Sequence, residues 1–130
     1  MNAAENKITD KNIVPKVLFH LVPKNLFLKY LSQNGDYDCR NKEEWGMNSK
    51  FIHTTTRRKD LKEQIADVKW KNYPREREFV MLKIYSNRIK SDLTYAIYDS
   101  ITYYHIWEAL ANNSFEVIDV NRNDDGSFNI

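Results

Sequence analysis

The chain has 130 residues, 42% of them apolar and 29% charged, with a formal net charge of +2. That balance describes one globular domain large enough to bury a core, and it excludes a disordered chain. The small net charge gives no bulk electrostatic case for nucleic-acid binding, and a single cysteine, Cys39, excludes an internal disulfide.

Taken in chain order, residues 1–14 are polar and are expected to form a flexible N-terminal segment, followed by one globular domain over 15–123 and a polar tail over 124–130. "KVLFHLV" at 16–22 has apolar residues on both faces and predicts a central strand. Pro23 suits the first turn of a helix over "PKNLFLKYLSQNG", with Phe27, Tyr30 and Leu31 as its buried stripe and Gly35 as its stop. A polar loop, "DYDCRNKEEWGMNS", follows, with Trp45 as an anchor, and then "FIHT" as a second short strand. A second helix is expected from about Thr56 to Lys71, burying Leu61, Ile65 and Val68. "EFVMLKIYS" at 78–86 alternates apolar residues on both faces and reads as a well-buried strand. "DLTYAIY" and "ITYYHIW" read as two more strands, Trp107 to Asn112 as one helical turn, and "SFEVIDVN" as the last strand. Early helices followed by several strands predict an α+β single domain with a mostly antiparallel mixed sheet and two principal helices early in the chain.

No apolar run approaches the roughly 20 residues of a membrane span, so no membrane partner is expected. Residues 1–14 lack the apolar centre of a signal peptide. With the lone cysteine pointing to a reducing compartment, the expected location is the cytoplasm.

The chemistry has few starting points. With only three glycines there is no phosphate-cradling loop, and no carboxylate pair stands out. The three histidines each sit inside a strand-like stretch: "LFHLV", "FIHTT" and "YYHIW". Taken singly, each reads as a hydrogen-bonded core residue. Gathered in one cleft, they would form a site able to bind, move a proton or hold a metal. A second starting point is "KFIHTTTRRKDL" at 50–61. A helix N-terminus repels cations, yet this predicted one begins with Arg57, Arg58 and Lys59. Backbone N–H groups there, with the hydroxyls of Thr54, Thr55 and Thr56 and a guanidinium, could hold a phosphate beside His53. The plainer reading is that the arginines point into water and Thr56 merely caps the helix.

"FHLV", then "FIHTTT" about thirty residues on, then "YYHIWEAL" resemble the three motifs of a small bacterial family, domain of unknown function number 952, which reads roughly "YHL", "GFIHxS" and "FPHxYGPL". The likeness runs over about residues 16 to 120. It implies an ADP-ribosyltransferase-like fold, NAD as the cofactor, no metal, and a histidine-lined cleft for a phosphate-bearing nucleotide such as NAD or ADP-ribose. Carried across motif by motif, the resemblance places the family's histidines at His20, His53 and His105. Its hydroxyl falls on Thr54 or Thr55, and its third-motif aromatic on Trp107. The chain departs from the pattern at Lys50, Tyr103, Tyr104, Glu108 and Ala109. At about the place of the family's glutamate it carries Ala96, with Asp99 nearby. In many ADP-ribosyltransferases such a glutamate holds the nicotinamide ribose.

Three functions follow as expectations. The first is nucleotide binding, with His20 and His53 on phosphates or ribose, Arg57 and Arg58 on phosphate, and Tyr103, Tyr104 or Trp107 stacked on a ring beside His105. The second is a non-catalytic binding or protein-interaction module. The third is a three-histidine metal-dependent hydrolase.

Overall fold

The computed structural model describes residues 7–8, 10–44, 47–57, 78–98 and 100–123. Its centre is a seven-stranded sheet. In chain order the strands are β1 (Lys7–Ile8), β2 (Val17–Pro23), β5 (Ile52–Thr55), β6 (Glu78–Tyr85), β7 (Leu93–Tyr98), β8 (Ile101–Ile106) and β9 (Phe115–Asn121). A separate two-stranded ribbon pairs β3 (Glu43–Glu44) with β4 (Met47–Asn48). The spatial order in the main sheet is β1-β7-β8-β5-β2-β6-β9, and every pairing is antiparallel.

The expected α+β architecture with two principal helices is therefore corrected to an antiparallel sheet carrying, among the described residues, one α-helix, α1, of six residues (Lys24–Lys29). The first predicted helix ends early for a local reason. Tyr30 closes it by donating its N–H to the Leu26 carbonyl, and Leu31 then bridges to Tyr37. Between them, the Asp36 N–H is taken by the Ser32 hydroxyl and the Ser32 N–H by the Asp36 carbonyl, so short polar side chains compete with helical bonding. Gly35, with φ +88°, serves this turn instead of stopping a helix. The second predicted helix lies outside the described residues from residue 58 on, as do Trp45 and the tail over 124–130. The helical turn expected after Trp107 is instead a loop tied to the chain by a bridge between Tyr37 and Leu110.

The strand readings fare better because period-two patterning survives in them. β2 and β6 pair over seven positions, from Val17↔Tyr85 to Pro23↔Phe79, and β6 and β9 over another seven. Side chains alternate between the faces of such a sheet, and register partners share a face. One face holds the larger core: Leu18, Val22, Ile52, Leu82, Ile84 and Ile106, covered by Phe27, Tyr37 and Leu110. The other face holds a smaller apolar group, Leu21, Phe79, Met81 and Val120, with Phe19 and Ile118 packed on it. Within the segment expected to be flexible, Ile8 and Val14 are buried in the larger core, and β1 adds to the sheet edge beside β7.

Candidate site: a histidine–aromatic row on one sheet face

The register of three strands builds this site. On β5 and β8, His53 stands opposite His105, and on β7 Thr94 stands opposite His105 in turn. All three side chains therefore share the face that carries the smaller apolar group. Phe51 and Trp107 lie two residues from the two histidines, which keeps them on the same side. The rings meet: His53 and His105 centroids are 5.1 Å apart and edge-on. Phe51 lies 4.7 Å from His53, 4.0 Å from His105 and 4.8 Å from Trp107.

Hydrogen bonds fix the periphery. The Trp107 indole N–H donates to Thr94 Oγ1 at 2.8 Å, and the same hydroxyl lies 3.4 Å from His105 Nδ1. Ser49 Oγ lies 3.2 Å from His53 Nε2. Behind Trp107, the Arg40 guanidinium donates to the Trp107 carbonyl at 2.5 Å while gripping both carboxylate oxygens of Asp38 at 2.9 and 3.1 Å. Burial alone would raise the Asp38 pKa, but the hydrogen bonds and charge of Arg40 outweigh it and hold the carboxyl below its ordinary range. His105 is 3% exposed, and burial lowers its pKa to about 4, so the ring is neutral at pH 7. His53, Phe51, Tyr103 and Trp107 are half-buried, so this row meets solvent at its His53 and aromatic side.

The residues singled out in the sequence divide between the two faces. His53, Thr55, His105 and Trp107 fall with the row. His20 falls on the opposite face with Leu18 and Val22, opposite Leu82, and its ring lies 6.3 Å from that of Tyr37. Its link to His53 runs through the backbone, since His20 Nδ1 donates to the His53 carbonyl at 2.5 Å. The three imidazoles thus do not converge. Thr54 and Tyr104 also lie on the His20 face. The Thr54 hydroxyl donates to the Tyr104 carbonyl at 2.8 Å, and the Thr55 hydroxyl to the Arg57 carbonyl at 3.3 Å, with both threonines fully buried. Burial, and then the charge of Tyr95, raises the pKa of the Tyr104 phenol. Arg57 is exposed beyond the end of β5, and Arg58 lies outside the described residues.

Phe51, Ser49, Thr94 and Arg40 did not stand out in the sequence. Phe51 carried a signal, the two-residue spacing from His53. Thr94 and Arg40 carried none, because their roles depend on strand register and a long-range loop contact. Ala96, at about the place of the resembled glutamate, is buried opposite Tyr103 on the face of the row.

Among the described residues no three His, Cys, Asp or Glu side chains cluster so as to hold a metal ion, and no helix is long and apolar enough to cross a membrane. Comparison of the chain with protein-family models, curated proteins and solved structures finds no match.

Proposed function

We propose that this protein is a ligand-binding domain that takes a phosphate-bearing nucleotide, such as NAD or ADP-ribose, on the row formed by Phe51, His53, His105 and Trp107. The observation that carries this reading is the register pairing of His53 with His105 between two aromatic rings. Half-buried rings offer π-faces to a base or a nicotinamide, and imidazole nitrogens offer hydrogen bonds to its edge or to a ribose. Arg57, exposed past β5, supplies a guanidinium for the phosphates. The cytoplasm, where nucleotides are plentiful and the buried Cys39 thiol stays reduced, is the compartment this reading assumes.

The reading is of binding rather than bond breaking. Its support is that the Thr54 and Thr55 hydroxyls are committed to backbone carbonyls and His20 to the opposite face, which removes them from a shared reaction centre. The same observation favours the second reading, a protein-interaction module that uses the aromatic row as a contact face.

Thermal unfolding with NAD, ADP-ribose and AMP separates the two, because a ligand that binds only the folded chain raises its Tm. The nucleotide reading expects a rise with at least one of them at millimolar concentration and no rise for His53→Ala. An unchanged Tm with all three overturns it and leaves the interaction module.

A further inference from the structure

We infer that Thr94 is a positioning residue that fixes His105 as its Nε2–H tautomer, so that the row presents an N–H donor and takes a hydrogen-bond acceptor, such as a carboxamide or base carbonyl, from its ligand. The argument is an accounting of hydrogens at one buried hydroxyl. Thr94 is 6% exposed and His105 3%. An indole nitrogen can only donate, so Thr94 Oγ1 accepts from Trp107. The Thr94 hydroxyl still holds one hydrogen, and among the described residues the His105 ring is its one other side-chain partner, through Nδ1 at 3.4 Å. If His105 Nδ1 carried the proton, it would donate to Thr94 as Trp107 does, and the threonine hydrogen would be buried with no acceptor. Buried donors are rarely left so, because their desolvation is not offset. The hydrogen therefore points at Nδ1, Nδ1 is the acceptor, and the ring proton sits on Nε2.

His20 shows the opposite choice made by the same rule. Its Nδ1 faces the His53 carbonyl, which can only accept, so His20 is the Nδ1–H tautomer. Two histidines of one sheet are thus held in different tautomers by the chemistry of their neighbours. His105 Nε2 has no hydrogen-bond partner among the described residues and belongs to a ring packed on His53 and Phe51. A buried donor at that point favours an acceptor and disfavours a second donor, which gives the row a directional preference that stacking alone lacks. The ligand half of this inference rests on the proposed binding site; the tautomer half does not.

Long-range proton–nitrogen correlation spectra of the full chain at pH 7 test both halves, with His105 assigned by its loss in His105→Gln. The expected spectrum has a protonated Nε2 and an unprotonated Nδ1 for His105. Thr94→Ser, which keeps the hydroxyl, retains it; Thr94→Val moves the ring toward Nδ1–H or a mixture. A wild-type Nδ1–H ring, or a Thr94→Val ring unchanged from wild type, overturns the assignment. Should Thr94→Val lose its fold, the wild-type and Thr94→Ser spectra still decide. Nicotinamide, added as a carboxamide probe, is expected to shift the His105 Nε2 signal. No shift at millimolar nicotinamide overturns the ligand half, whereas failure of ADP-ribose to bind overturns only the nucleotide reading.

Discussion

His53 and His105 face each other across two antiparallel strands, and the partners of the two rings differ: a serine hydroxyl for His53, and for His105 a threonine hydroxyl already engaged by an indole. One imidazole is half-buried and the other almost wholly buried, so a single register pair supplies both a solvent-facing group and a fixed support.

The burial of His105 makes stability depend on pH with a definite sign. Its folded pKa, about 4, lies below the ordinary 6.5, so between those values the unfolded chain binds more protons than the folded one. Stability from this group is present above pH 6.5 and is lost as pH falls toward 4. The full span amounts to about 3 kcal/mol. Urea unfolding at pH 7 and pH 4.5 is expected to show a drop for wild type that is smaller in His105→Gln. Equal drops in the two proteins would place the pH dependence elsewhere.

Arg40→Ala removes three hydrogen bonds to two partners, leaving the Asp38 carboxylate partly buried without its guanidinium and the Trp107 carbonyl without its donor. The expected loss is about 1–3 kcal/mol. Arg40→Lys should recover only part of it, because an ammonium cannot reproduce the two-pronged contact. Chemical denaturation of both variants measures this. The Asp38 carboxyl should also titrate higher in Arg40→Ala, which carbon-detected NMR of the carboxyl reads directly.

At Gly35 the backbone holds φ +88°, and a Cβ there would stand 3.3 Å from the Asn112 Cβ. Gly35→Ala should destabilise the protein by about 1–2 kcal/mol through the left-handed conformation alone. The turn it disturbs is joined to the loop after β8 by the Asn112 side-chain amide, which donates to the Asn34 carbonyl. A variant as stable as wild type in denaturant would show that this turn relaxes without strain.

Thr54→Val separates the two faces of the sheet. Its hydroxyl is buried and donates to the Tyr104 carbonyl, so its loss should cost about 1 kcal/mol of stability. Because Thr54 lies on the His20 face, nucleotide affinity should stay within twofold of wild type. A tenfold loss by calorimetry would return the threonine run to the binding site.

Much of the sheet was legible because alternation in "EFVMLKIY", "LTYAIY" and "ITYYHI" reports strands directly, and the buried runs around Leu18 and Leu82 mark its centre. Register was not legible. The spacing from His20 to His53 says nothing of which faces they occupy, and pairing Phe19 with Thr55 is what sends the two rings apart. The first helix was over-read for a different reason. Leu31 continues an apolar stripe begun by Phe27, but polar contacts among Ser32, Asn34 and Asp36 form a turn that local periodicity does not register. The aromatic character of "YYHIW" pointed to Trp107, while Thr94 and Arg40, which hold it, came from segments with no motif at all.

Isothermal titration of ADP-ribose into wild type, His53→Ala and Thr54→Val tests the central claim most directly. The account predicts binding to wild type, at least a tenfold loss in His53→Ala, and wild-type affinity in Thr54→Val; one lost hydrogen bond to a charged group, about 1.5–3 kcal/mol, corresponds to such a change. Equal affinity of wild type and His53→Ala, or no heat from wild type at millimolar ligand, would contradict it.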